Sequence, residues 1–340
     1  MNRYPFLAAM VLTVLAGCNN NEFEEGPAIA AGETPIIVKT GVATKAAIGT
    51  GDEVTATFAL ISSVTAPDAA AWNSFVPRKT NVFTDANIFA DYAADAANVS
   101  TGIFTANATT AQAISFNPDL YYNKTTVSES FETAYLVGVA PAGTVVTGGT
   151  VNFSTKDGEQ DIMYASQISK GVESEAETNE NTFAFNHLTG QVSFTVKKEA
   201  AVTEVVTVKS LKLKTVQLPA SIKLADGNVT YDTPADLLLP NVINSQAITT
   251  EGVATGNPVM ISPIAALNID VTITIGGKDK TYSNVPVTFE EGKGTGVTKG
   301  NASLVTITVK EQVTPSETPI TATATVVAWG TGNKGTVDLN

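Results

Sequence analysis

The chain of 340 residues contains one cysteine and one histidine. A lone cysteine closes no intramolecular disulfide and builds no thiolate metal cluster, and a lone histidine makes no His-rich metal site. A Ser-His-Asp triad would have to use His187, and no Gly-x-Ser-x-Gly elbow supplies its nucleophile. The two tryptophans, Trp72 and Trp329, are few for a sugar-stacking cleft, and nothing singles out one carboxylate pair for glycoside hydrolysis. Cations are scarce too: 20 Lys and Arg face 33 Asp and Glu, a formal net charge of −13. With no basic stripe carrying interleaved aromatics, the chain is expected to be repelled by phosphate backbones and to bind no nucleic acid. No run beyond Leu15 is long and apolar enough to span a membrane, and no helical periodicity is long enough for the crossovers of a parallel α/β sheet. No catalytic residue, metal ligand set or cofactor is therefore assigned, and a protein that is not an enzyme is expected.

Threonine dominates what is present, with 48 residues, and Val and Ile are frequent beside it. β-branched side chains fit a pleated surface better than a helix, so the composition predicts an all-β fold. From Glu53 onward Val54, Ala56, Phe58 and Leu60 alternate with Thr55, Thr57 and Ala59, the period-two pattern of a half-buried strand. Further strands are expected at 103–105, 113–116, 135–139, 150–153 and 162–165. In the second half they are expected at 183–187, 192–196, 206–213, 222–224, 259–261, 269–275, 285–289, 304–309 and 320–328. The alternation from Val206 to Leu213 slips phase once, which predicts a bulge, and Asp226-Gly227 and Gly276-Gly277 read as turns. Trp72 to Asn98, rich in Ala, Asn and Asp, has room for a short helix or a long loop and reads as irregular. Asp157, Glu159 and Asp161 alternate and could gather three carboxylates for calcium, but a calcium loop needs Gly and Glu where Ile162 and Ile168 stand. The stretch reads as a solvated turn, and His187 as a structural residue of its strand.

At the start, Arg3 precedes an apolar run from Phe6 to Leu15, too short for a permanent span and shaped as a signal peptide. Leu15-Ala16-Gly17-Cys18 resembles the lipobox of bacterial lipoproteins, in which the cysteine is acylated and becomes the new N-terminus. Acyl chains anchor firmly because each buried methylene contributes about 0.8 kcal/mol. Residues 19–35 are too polar to offset ordering entropy and read as a tether, and Ile36 to Val42 as a first strand. The acidic stretch Gly171 to Asn181, with four glutamates and no aromatic residue, is the composition break best suited to a domain boundary.

Several phrases then appear in a recognisable order: Thr44-Lys45-Ala46, Gly51-Asp52, Tyr135-Leu-Val-Gly-Val-Ala-Pro141, and Gln160-Asp161-Ile-Met-Tyr164-Ala165. They continue with Phe183-Ala-Phe185-Asn-His187, Val192-Ser-Phe194-Thr-Val196, Phe289-Glu-Glu-Gly292-Lys293 and Val327-Ala-Trp329-Gly330. The ordered set resembles the fimbrillin proteins of Bacteroidia, which build type V pili. Lys45 stands where that family often has Arg, and Phe289 where it often has Trp. A protease specific for Arg would not accept Lys45.

The resemblance implies two transthyretin-like β-sandwich domains in tandem, at 46–178 and 179–340, behind a signal peptide (1–17) and a tether with a removable first strand (18–45). It implies lipidation at Cys18, location at the bacterial outer membrane and cell surface, and partnership with other fimbrillin subunits. Cleavage between Lys45 and Ala46 would remove the first strand, and polymerisation by strand exchange would follow. The segment with Ile320, Ala322, Ala324, Val326 and Ala328 on one face has the alternation of a donor strand. The rival expectation is a monomeric outer-membrane lipoprotein that binds a glycan or host protein through loops at the sandwich ends.

Overall fold

The computed structural model describes residues 36–42, 52–79, 97–106, 111–122, 132–154, 156–172, 179–289, 296–310 and 322–328. The first half holds β1 (Lys39–Val42), β2 (Glu53–Ser63), the short helix α1 (Ala69–Asn73), β3 (Val99–Thr105), β4 (Gln112–Ala113) and β5 (Ser115–Asn117). It continues with β6 (Thr133–Ala140), β7 (Thr144–Val146), β8 (Thr150–Asn152), β9 (Met163–Ser169) and β10 (Thr182–His187). Then follow β11 (Gly190–Lys198), β12 (Val206–Val216), β13 (Pro219–Lys223), β14 (Val229–Tyr231), β15 (Ala235–Leu238) and β16 (Val253–Ala254). The last are β17 (Val259–Ile261), β18 (Leu267–Ile275), β19 (Lys278–Phe289), β20 (Asn301–Val309) and β21 (Ala322–Ala328). The all-β expectation holds.

Three sheets result. The first has the order β4-β1-β10-β9-β6-β2-β3-β5. Its two edge strands, β4 and β5, are separated in sequence by Ile114 alone, so the sheet must curl around its apolar face until its edges meet. Inside lies a core of Val54, Phe58, Leu120, Leu136, Phe183 and Phe185. The second sheet has the order β15-β12-β18-β19-β21-β20-β11-β16, with β17 also on β11, and encloses the largest core, including Phe194, Leu211, Ile269 and Ile307. The third is short and mixed in origin, β14-β13-β8-β7, joining hairpins from the two halves of the chain through Ile222 opposite Val151.

The third sheet explains why β2 is more than half buried. Val54, Ala56, Phe58 and Leu60 face the first core as the alternation predicts. Ala59 on the other face is also buried, against Trp72, Val137, Val151 and Ile222. Much of this second layer comes from distant residues, Val151 and Ile222 above all, and no local pattern announces it. α1 contributes Trp72, and corrects the expectation of irregular structure there. Asp68 caps the helix by accepting from the Ala71 N–H (2.9 Å), the usual remedy for an orphan first-turn donor. The indole Nε1–H of buried Trp72 donates to Gln167 Oε1 at 2.6 Å.

The phase slip in β12 is a bulge: its register with β18 shifts between Val208 and Ser210. Among the described residues three ladders are parallel, β1 with β10, β11 with β20 and β19 with β21, each reached through other strands of the fold. The acidic stretch 171–181 connects β9 to β10, which pair antiparallel in the first sheet, and the chain passes to the second sheet between β10 and β11. Strands β7, β14, β15 and β16 were not legible locally, being two to four residues long. The turn at Asp226-Gly227 leads from β13 to β14, with Gly227 at φ 70°.

A Cβ on Gly227 would also lie 2.6 Å from Cδ1 of Tyr164. That ring is fixed by its hydroxyl, which donates to the Leu224 carbonyl at 2.9 Å, and burial pushes its pKa up to about 12. Gly227→Ala is expected to cost about 1–3 kcal/mol through the left-handed backbone and the displaced ring, read as a lower urea midpoint at unchanged slope.

Candidate functional site

The segment 36–42 is the part of the described chain that is threaded between other strands near an expected processing point. Its alternation places Ile36, Val38 and Thr40 inward, at 2%, 0% and 1% exposure, and leaves Ile37 60% exposed. The Ile36 N–H donates to the Leu120 carbonyl (2.8 Å), and the Ile114 N–H donates to the Val38 carbonyl (3.0 Å). From Lys39 the segment becomes β1, parallel to β10 over Lys39↔Thr182 to Val42↔Phe185 and antiparallel to β4 at Lys39↔Ala113 and Thr40↔Gln112. The Thr40 hydroxyl donates to the Phe183 carbonyl at 3.4 Å. Both flanks of the segment are therefore used by hydrogen bonds and one face by the core.

Beneath it lies an aromatic floor. Phe58 and Phe183 have centroids 5.2 Å apart, and Phe104 stacks on Phe185 at 5.4 Å. Burying Ile36 and Val38 against this floor stabilises the segment by roughly 1.5–3 kcal/mol each. At the end of β9, Lys170 is 3% exposed and its Nζ donates to the Asn179 and Asn181 carbonyls, joining the two sides of the β9–β10 connection. Burial holds its pKa below the ordinary lysine value, helped by the charge of Lys39.

At the other end of β10, His187 Nδ1 stands 2.8 Å from Oδ1 and 2.7 Å from Oδ2 of Asp161. Both side chains are buried, which corrects the reading of 157–161 as a solvated turn with its carboxylates on one side. Asp157 Oδ1 accepts from the Glu159 N–H (2.9 Å), and Glu159 accepts from Asn257 Nδ2. That local turn breaks the extended geometry and sends Asp161 into the protein. Burial raises the Asp161 pKa, opposed by the hydrogen bond and charge of His187. Among the described residues no cluster of three His, Cys, Asp or Glu could hold a metal.

Of the donor-strand residues, Ala322, Ala324, Val326 and Ala328 belong to β21. That strand lies between β19 (Val287↔Ala322, parallel) and β20 (Ala302↔Val327, antiparallel) within its own second sheet. It shares no ladder with β1. Cys18, Lys45, Ala46 and Ile320 lie outside the described residues. The Asp161–His187 pair was missed as a pair, although the alternation Phe183, Phe185, His187 already directs the histidine inward.

Taken together, the sheets and the segment 36–42 threaded between β10 and β4 define an all-β protein organised around strand-to-strand contact. The sequence pattern of the fimbrillin-like family matches residues 76–329, and the chain belongs to that family. Among solved structures, a candidate cell adhesion protein from Bacteroides uniformis shares the fold with a TM-score of 0.51 at 15% identity, over 88% of this chain and 99% of its own. A fimbrial protein from Bacteroides vulgatus gives a TM-score of 0.47 at 13% identity, over 86% of this chain and 99% of its own. The C-terminally truncated tip fimbrial protein Mfa3 from Porphyromonas gingivalis gives 0.40 at 9%, over 87% and 100%. No curated protein matches the chain. Among the described residues no helix is long and apolar enough to cross a membrane.

Proposed function

We propose that this protein is a structural subunit of a cell-surface pilus, exported as a lipoprotein through Cys18 and assembled by strand exchange after cleavage between Lys45 and Ala46. Family membership supports the pilus role. One observation carries the assembly step: the segment 36–42 fills a slot bounded by β10 and β4, with Ile36 and Val38 in the core. Its removal would leave an apolar groove flanked by two open strand edges, which a strand from another subunit can complete by main-chain hydrogen bonds and alternate side chains. While it stays attached, an incoming strand must meet an association cost that the tethered segment avoids, so cleavage is the commitment step.

On this reading the first and second sheets are the cores of two tandem sandwiches of transthyretin type, and the outer membrane is the staging site. The donor face is the alternation of Ile320, Ala322, Ala324, Val326 and Ala328. A subunit that donates β21 would vacate the place between β19 and β20, so donation and occupancy of that place by another strand are coupled. N-terminal sequencing of assembled fibres is expected to find Ala46 first, and Lys45→Ala is expected to leave protein that is exported but monomeric. Fibres that retain residues 36–45 would overturn the cleavage mechanism.

A further inference from the structure

We propose that the buried Asp161–His187 pair is a positioning clamp that keeps β10 in register as a template edge when the segment 36–42 is not docked. The inference deepens the strand-exchange reading and rests on it. β10 divides its partners sharply. Residues 182–185 pair with β1, whereas only Asn186 and His187 pair with β9, opposite Tyr164 and Met163. One further backbone bond, from the Leu188 N–H to the Ile162 carbonyl (2.9 Å), joins the same end.

With β1 in place, all six residues of β10 have a ladder partner. Without it, residues 182–185 lose theirs, and the backbone ladder of the strand is confined to one end, the other being tied to β9 through the side chains of Lys170 and Asn181 alone. A strand held so briefly opens locally far more readily than one laddered along its length. The laddered end is where His187 lies, and Asp161 immediately precedes the Ile162–Met163 pair that receives it. The side-chain bond therefore spans the same two segments as the short ladder and doubles it. Both carboxylate oxygens lie within 2.8 Å of Nδ1, and the two side chains are 4% and 3% exposed. A charge-assisted bond in so dry a setting is strong and directional. β10 also carries Phe183 and Phe185 into the aromatic floor, so a swing of the strand would misplace both its hydrogen-bonding edge and the surface on which an incoming strand must pack.

The test uses the full chain in two backgrounds, one with the segment docked and one with Val38→Asp, which undocks it by placing a charge in the core. In each, His187→Ala and His187→Asn are compared by amide hydrogen exchange at residues 182–185, with circular dichroism to confirm that the sheets persist. In the docked background His187→Ala is expected to speed exchange there by less than about tenfold over the acceleration that the loss of global stability gives β2 and β6. With Val38→Asp the acceleration is expected to reach about a hundredfold or more, and His187→Asn, whose amide can replace Nδ1, is expected to reverse most of it. Equal acceleration in both backgrounds would reduce the pair to ordinary core stabilisation and overturn the proposal, as would no acceleration in either. Fibre sequencing separates the two readings: fibres that keep residues 36–45 sink the cleavage step, whereas loss of the background dependence sinks the clamp.

Discussion

Phe58→Ala is expected to lower the free energy of unfolding by about 3–5 kcal/mol, the upper range for loss of a buried aromatic ring. Phe58 is fully buried on β2 and meets Phe116 and Phe185 edge-on, with centroids at 5.2 and 6.1 Å. The strands on either side offer it glycines: a Cβ on Gly102 would come within 2.5 Å of the ring, and one on Gly138 within 3.0 Å. These gaps let the ring lie against the sheet beside Ile114 and Phe185, and the glycines themselves have no side chain to fill the space once the ring is gone. The cavity should therefore stay open, and Phe58→Leu should recover most of the loss. Equilibrium denaturation of the three proteins decides it. A loss near 1 kcal/mol would mean that the sheet closes over the gap. Because Ile36 and Val38 pack into the same core, the alanine variant should also hold the segment 36–42 less firmly.

His187→Ala is expected to cost a similar amount at neutral pH, about 3–5 kcal/mol, because it strips the partner from a buried carboxylate. Its pH dependence has a definite sign. Burial already raises the Asp161 pKa above its ordinary 3.8, and His187 supplies both opposing influences. Without His187 the folded-state pKa climbs further, so the folded protein holds the proton more tightly than the unfolded chain. Stability of the variant should then rise as pH falls through the folded pKa, with the gain complete once pH is below 3.8. The double variant His187→Ala, Asp161→Asn removes the titrating group and should lack this component. Parallel pH profiles for the single and double variants would show that Asp161 bears no burial penalty.

How far the sequence revealed this structure depended on the range of the forces involved. The face of β2 that bears Phe58 was legible because alternation is a local signal, and the β12 bulge because a phase slip is visible within eight residues. Burial of Ala59 was not, since the layer above it includes Ile222 from the other half of the chain. In the candidate site, the apolar run Ile36-Ile37-Val38 ahead of Lys45 marked a first strand, but not that Ile37 would turn outward while its two neighbours turn in. The slot the run occupies was not legible, because its walls come from residues near 113 and 183. His187 pointed inward on the pattern of Phe183 and Phe185. Its partner lies 26 residues earlier, beyond a turn whose Asp157 bond reverses the direction that simple alternation assigns to Asp161.

The position of β21 between β19 and β20 has a kinetic meaning. The hairpins β7–β8 and β18–β19 can close early from nearby residues, but β1 must wait for β10, with Thr40 bonding a partner 143 residues on. Such distant pairings form slowly, since loop closure precedes any reward from contact. As the chain is made N-terminus first, the first sheet can mature while β19 and β20 still present two facing, unsatisfied edges. Those edges are hazards for pairing with the wrong chain. The interval between the emergence of Val309 and the docking of Ala322 to Ala328 is thus when a newly made molecule is most exposed to misassembly, and when a holding chaperone would have the most to protect.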